Sequence, residues 1–297
     1  HHLFLGIDPT PLGTAPFTLA TDQTTVIRAS DIDLHLHPEA RVCILPCIAG
    51  HIGADTAGVI LSERPDLSEE YVLLVDVGTN AEIVLANRNR MLAASSPTGP
   101  AFEGAQITAG QRAAPGAIER VRINPETLEP RFRVIGCDVW SDDPEFAEKS
   151  AKVGVSGVCG SGIIEVVAEM YLAGIIDQDG VIGLVDGKDN SRVILDGRTY
   201  SYVLHDGDKT LRITQTDIRA IQLAKAALHA GIRLLLDYMG ISKVDKIGLA
   251  GAFGSHIDVK YAMVLGLIPD CQLDKVGSVG NAAGTGARIA LLNFPSR

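Results

Sequence analysis

Residues 72–85, VLLVDVGTNAEIVL, constrain the fold more than any other stretch of the chain. An apolar run ends in Asp76, a Gly78-Thr79-Asn80 turn follows, and a second apolar run returns. Short runs of β-forming residues around a Gly/Asn turn predict a β-hairpin. Its tip would expose backbone N–H groups, a hydroxyl and an amide beside one carboxylate. Those groups suit a phosphate and its Mg²⁺. A plain hairpin needs only Gly or Asn at its tip, so Asp-x-Gly-Thr carries more polar chemistry than the turn requires.

A second glycine-rich turn, LAGAFGS at 249–255, closes the apolar strand 244–250. Gly251, Ala252, Gly254 and Ser255 lie between that strand and the next helix, and ligands favour the carboxyl ends of such strands. A tight βα turn alone would also use these glycines. Two such turns, each at the end of a β run, suggest a nucleotide held between them. Glu103, in the Gly/Pro-rich loop GPAFEGA, is the further carboxylate expected to line that cleft. Asp258 reads as the cap of its helix. His205, His229 and His256 lack metal-ligand spacing, and neither a Ser/His/Asp arrangement nor a G-x-x-x-x-G-K-[ST] loop is present.

The 297 residues suffice for one large or two modest domains. A net charge of −10 and the lack of any Lys/Arg cluster in the sequence argue against a nucleic-acid binder. A single nucleotide stays compatible, because local dipoles and Mg²⁺ outweigh global charge. No apolar run is long enough to span a membrane, and no signal peptide is visible. Cys43, Cys47, Cys137, Cys159 and Cys271 are odd in number and scattered, which reads as free thiols in a reducing cytoplasm. The opening His1-His2 runs directly into what reads as mid-domain sequence, so a C-terminal fragment of a longer protein is expected.

Along the chain, 41–47 read as a buried strand and 51–63 as a helix ending at an exposed SERPDLSEE linker. A third strand over 91–94 is followed by a hairpin over 118–135. A helix over 159–173 opens with Ser161 as its expected cap and stops at Gly174. Short β runs occupy 192–213. The strongest helix spans 215–239, with apolar residues at steps of three or four from Ile218 to Met239, and Gly240 ends it. Strand 244–250 and helices over 258–265 and 281–293 complete a β/α alternation. Small residues in the helices at 159–173 and 281–293 predict close helix packing.

Four segments then come in a telling order: DVGTNAEIVL (76–85), GVSGVCGSGIIEVVAEM (154–170), GLAGAFGSHID (248–258) and VGNAAGTGARIALL (279–292). They resemble the second phosphate, first connecting, adenosine and second connecting motifs of the acetate and sugar kinase/Hsp70/actin superfamily. Within it, GPAFEGAQI, RAAPGAIE and VGNAAGTGA are similar to the C-terminal part of the reductive activators of corrinoid proteins, and the likeness runs over essentially the whole chain. The superfamily motifs are loose; the family wording is long and specific.

The resemblance implies an α/β, actin-like (ribonuclease H-like) fold with a mixed sheet flanked by helices. Residues 1–70 would be the tail of a preceding actin-like lobe and 71–297 the nucleotide-binding lobe. It implies ATP and Mg²⁺ as cofactors, an ATPase in the full-length protein, and a corrinoid protein as partner, returned from Co(II) to Co(I). A homodimer is left open. Asp76 would organise Mg²⁺ or the attacking water. Gly78, Thr79 and Asn80 would meet the β/γ phosphates, and Gly251, Ala252 and Gly254 the adenosine. A [2Fe–2S] cluster is expected only in an upstream domain, since Cys43 and Cys47 lack Cys-x₄-Cys-x₂-Cys spacing. A first Asp-x-Gly-Thr element does not occur before residue 76. A small-molecule kinase of the same superfamily, or a non-catalytic nucleotide-binding module, remains the alternative.

Overall fold

A computed structural model describes residues 1–293, with only the backbone course given at 252 and 253. After two short 3₁₀ turns, Leu3–Leu5 and Thr10–Leu12, comes an antiparallel pair, β1 (Thr25–Arg28) and β2 (Arg41–Ile44), with Thr25 opposite Ile44. β2 is shorter and wetter than the buried strand expected over 41–47. Pro46 has no N–H to donate and restricts Leu45, so the ladder stops at Ile44. Helix α1 (Ala54–Glu63) follows and is closed by Arg64 in the left-handed region, with Pro65 barring its continuation.

The predicted hairpin is present as β3 (Val72–Val77) and β4 (Ala81–Asn87), and β5 (Arg90–Ser96) extends the meander. Next come β6 (Ala117–Ile123), β7 (Pro130–Val134), α2 (Phe146–Ser150), β8 (Gly157–Val158) and α3 (Gly160–Leu172). A small antiparallel sheet of β9 (Val193–Asp196), β10 (Thr199–His205) and β11 (Leu211–Thr214) precedes α4 (Gln215–Met239). Thr214 and Asp217 form a reciprocal capping box at the start of α4, and Gly240 ends it as expected. The chain then runs through β12 (Lys246–Ala250), α5 (Gly251–His256), α6 (Val259–Val264), β13 (Val276–Gly280) and α7 (Ala282–Leu292). The sequence reading did not anticipate β1, α2, β8, α5 or β13.

One mixed five-stranded sheet, in the order β13-β12-β3-β4-β5, organises the site. β12 is parallel to both β3 and β13, whereas β3, β4 and β5 run antiparallel. Side chains alternate across a strand, and here both faces are buried. Leu73, Val75, Ile83 and Leu85 face a large core with α4, where a Cβ on Gly231 would meet Ile83 Cδ1 at 2.7 Å. Val72, Leu74, Val84 and Ala86 face a smaller core that Val59 of α1 and Ala282 of α7 complete. α1 therefore covers the sheet although it precedes residue 70.

Two helical expectations are corrected. Ser161 is not the cap of α3: the N-cap is Cys159, without a side-chain cap bond, and Ser161 lies buried inside the first turn. Nor do the small residues of α3 and α7 serve one helix pair. α7 crosses α1, where a Cβ on Gly286 would lie 1.9 Å from Gly58 O and one on Gly58 2.8 Å from Ala283 O. α3 instead presses on β6, where a Cβ on Gly162 would lie 2.3 Å from Ile118 O.

Candidate nucleotide-binding site

The carboxyl ends of β3, β12 and β13 lie together at one edge of the sheet, leading into the 78–80 tip, α5 and α7. Asp76 is opposite Ala250 on one side and Glu82 on the other. By the alternation of β3 and β4, Asp76 and Glu82 face the same side as Leu74 and Val84, toward α1, whose first turn carries Asp55. Burial pushes the Asp76 carboxyl above the ordinary carboxylate range, and the negative charge of Asp55 adds to this. Glu82 is raised in the same way, chiefly by burial, with Asp55 and Asp76 adding to it while a hydrogen bond from Ser95 Oγ (3.2 Å) opposes it. Among the described residues no hydrogen bond reaches the Asp76 carboxylate.

The hairpin tip is held from below. Thr98 Oγ1 donates to Gly78 O (3.1 Å) and Thr79 O (3.2 Å), and the Gly99 N–H donates to Thr79 O (2.8 Å). Thr79 Oγ1 donates to Glu103 Oε1 at 3.0 Å, so the loop expected to contribute Glu103 brings it to the tip. The Gly78 N–H is used within the turn, donating to Asn80 O (2.9 Å). The N–H groups of Thr79 and Asn80 have no partner among the described residues.

The second turn is the first turn of a helix. Gly251 opens α5 with φ +79°, and a Cβ there would lie 2.5 Å from Asp76 Oδ1. Only glycine both accepts that backbone and leaves the carboxylate room. Gly254 packs on its own strand, where a Cβ would meet Leu249 C at 2.7 Å. Ser255 Oγ donates to Gly251 O (2.9 Å) and receives Ser278 Oγ (3.4 Å), tying the exits of β12 and β13 together. The Ala252 side chain lies outside the described part of the structure. Asn281 caps α7 by accepting from the Gly284 N–H (2.9 Å).

Sequence reasoning missed Asp55 and Glu82. Glu82 was accessible: with residues 77 and 81 paired across the tip, position 82 falls opposite 76. Asp55 was not, because only the α1–α7 crossing carries it there. Asp76 is a half-buried carboxylate with acidic neighbours and, among the described residues, no basic partner, chemistry that a divalent cation would relieve, so the donor set fits Mg²⁺. Among the described residues no three His, Cys, Asp or Glu side chains converge as a ready metal cage. The five cysteines are free thiols, three buried and two half-buried.

An actin-like lobe with a phosphate-type hairpin facing a glycine-opened helix is the class this geometry defines. The chain belongs to the RACo family: the description "C-terminal domain of RACo the ASKHA domain" matches residues 70–297, and "RACo middle region" matches 1–66. It is similar to the corrinoid activation enzyme RamQ of Eubacterium limosum, at 36% identity over 98% of this chain and 48% of the relative. It is also similar to the [Co(II) methylated amine-specific corrinoid protein] reductase of Methanosarcina barkeri, at 30% identity over 85% of this chain and 44% of that protein. The solved structure of a reductive activator for corrinoid, iron-sulfur protein superposes with a TM-score of 0.80 at 33% identity, over 99% of this chain and 45% of that one. The chain thus spans about half the length of the relatives it matches. Among the described residues no helix is long and apolar enough to cross a membrane.

Proposed function

We propose that this chain is the ATP-binding and ATP-hydrolysing part of a reductive activator that returns a Co(II) corrinoid protein to Co(I). The observation that carries the reading is the pairing of Asp76 with Gly251, a carboxylate and a helix opening set against each other at the exits of adjacent parallel strands. The names of the relatives supply the corrinoid protein as the partner class. Nothing in the site favours a kinase, which would need a base and an acceptor pocket of its own. We assign 71–297 as the nucleotide-binding lobe and 1–70 as the tail of a preceding one, with α1 bridging them.

In this reading the free N–H groups of Thr79 and Asn80 bind phosphate oxygens, and Glu103 fixes the Thr79 hydroxyl. Asp76, with Glu82 and Asp55 behind it, holds the cation and orients the attacking water. Mg²⁺, when bound, neutralises the charge that develops on the transferred phosphate. Gly251 keeps the approach to Asp76 open. The electron comes from a [2Fe–2S] group carried outside this chain.

The test is ATP turnover by the full-length protein with and without a Co(II) corrinoid protein. Stimulation is the expected result, and turnover indifferent to the corrinoid protein but raised by a small alcohol or acid would move the protein to the kinases. Asp76→Asn should lower turnover by roughly 10²-fold or more, as for other lost charge-stabilising groups.

A further inference from the structure

The N–H groups of Thr79 and Asn80 have no partner among the described residues, and their direction is set from outside the hairpin tip. The peptide bonds at 78–79 and 79–80 are trans. In a planar trans peptide the C=O of one residue points opposite to the N–H of the next. Whatever fixes the Gly78 and Thr79 carbonyls therefore fixes the Thr79 and Asn80 N–H groups in the reverse direction. Thr98 Oγ1 takes both carbonyls, at 3.1 Å and 3.2 Å. A hydroxyl carries one donor proton, so the two bonds share it and draw the carbonyls toward one point. The Gly99 N–H adds a bond of 2.8 Å to Thr79 O. Both peptide planes thus turn their carbonyls toward Thr98 and their N–H groups away from it.

Thr98 is itself held. It is buried, and the chain on either side of it is pinned. Ser96, the last residue of β5, donates through Oγ to Ala227 O in α4 at 2.6 Å. The Thr98 N–H donates to Ser96 O at 2.9 Å, closing a tight turn about Pro97, whose ring fixes φ at about −65°. Gly99 then takes φ +71° and ψ 177°, a backbone region that is essentially glycine's. That conformation lets the residue 98 hydroxyl and the residue 99 N–H meet the same carbonyl. The hairpin does not need Thr98 in order to form, because the β3–β4 ladder runs from Val72 to Ala81 and the Gly78 N–H closes the tip on Asn80 O. What Thr98 adds is direction.

We propose that Thr98 is the positioning residue of the phosphate-binding tip: its hydroxyl, anchored on α4 through Ser96, aims the Thr79 and Asn80 N–H groups at the β/γ phosphates of a nucleoside triphosphate. The inference rests on the nucleotide reading above. It goes beyond that reading by placing control of phosphate affinity in a side chain on the far side of the tip from the phosphates. Donors set in advance bind an anion without first being oriented, and that cost is otherwise taken from the affinity. Without the Thr98 hydroxyl the two carbonyls lose their common point, and the 78–79 peptide plane, which Gly99 does not hold, is the freer to turn.

The test measures the affinity of the full-length protein for ATP and for AMP, both with Mg²⁺, in Thr98→Val and Thr98→Ser. AMP lacks the β/γ phosphates, so it reads the adenosine side without the tip. Thr98→Val nearly keeps the shape and removes the donor. It should bind ATP at least about tenfold more weakly, as expected for misdirected hydrogen bonds to a charged group, and bind AMP as the parent does. Thr98→Ser keeps the donor and should bring ATP affinity back close to the parent's. Unchanged ATP affinity in Thr98→Val, or equal losses of ATP and AMP, overturns the positioning role. So does a Thr98→Ser variant that binds ATP as weakly as Thr98→Val. A parent that binds ATP no better than AMP overturns the phosphate reading of the tip as well, and one that binds neither overturns the nucleotide reading.

Discussion

Gly251→Ala puts the candidate site under the most direct strain. The substitution adds one carbon at a residue with φ +79°, where an L side chain costs about 1–2 kcal/mol. The added carbon would lie 2.5 Å from Asp76 Oδ1, about 0.9 Å inside an ordinary contact. The Leu249 and Val75 backbones on either side are locked in the parallel ladder, so the Asp76 carboxylate is the part that moves. At roughly 2–4 °C per kcal/mol for a domain of about this size, the melting temperature should fall by roughly 2–8 °C. Displacing a reacting-site group by about 1 Å costs on the order of 10²-fold in rate, so turnover should fall far more than stability. Calorimetry and ATP turnover of the full-length protein read both quantities. A variant that melts lower but turns over normally would show that Asp76 is not at the reacting centre. One that is unchanged in both would refute the left-handed opening of α5.

Asp76→Asn should raise the melting temperature of the nucleotide-free protein at neutral pH while lowering turnover by roughly 10²-fold or more. The raised carboxyl of Asp76 means the folded state binds more protons than the unfolded chain between the ordinary carboxylate range and the raised value. Stability therefore falls as pH rises through that window, and a melting series from pH 4 to 7 should show a shallower fall in the variant; an unaltered slope would remove Asp76 as its source. Gly286→Ala forces a carbon 1.9 Å from Gly58 O and should destabilise the fold by roughly 1–3 kcal/mol, net of its better helix propensity, as read by urea denaturation. Glu165→Ala leaves Arg120 and Arg122 without their buried partner and the Val121 N–H without its acceptor, so a loss of about 3–5 kcal/mol is expected; near-parental stability would contradict the network.

The elements legible in the sequence were those whose signal is local. Gly78-Thr79-Asn80 between two apolar runs gives a hairpin from turn chemistry alone, and the spacing from Ile218 to Met239 gives a helix from period alone. Short elements that exist only through pairing were missed: β8 is two residues long and is a strand because Ala117 and Ile118 lie beside it. The stripe of glycine and alanine in α7 announced a close approach but not its partner, since Gly58 and Gly162 look alike until the sheet decides which helix covers which face. The same limit hid Asp55 and the cross-strand arginine pairs of β6 and β7. Arg120 and Arg133 are separated by a turn, and only the cross-strand register makes them neighbours.

Register also explains why the site can hold like charges at all. Asp76 and Glu82 stand opposite one another because Val77 pairs with Ala81, and that pairing is set by the buried residues around it, from Val72 against Ala86 to Val75 against Ile83. Slipping the strand by one residue would relieve the carboxylates but turn every apolar side chain to the wrong core. Both faces are buried, so the cost of a slip is misfit, with several side chains forced into the core shaped for the other face at about 1–3 kcal/mol each, which together exceeds the repulsion between two half-buried acids. The hairpin therefore holds its acidic pair in a poised, unfavourable arrangement. In the proposed reading, phosphate and cation together would relieve it, the one taken by the N–H groups of Thr79 and Asn80, which have no partner among the described residues, and the other by the carboxylates behind them. On this argument neither ligand alone should stabilise the fold as much as the two together, because free phosphate adds negative charge beside Asp76 and the cation alone lacks its remaining ligands.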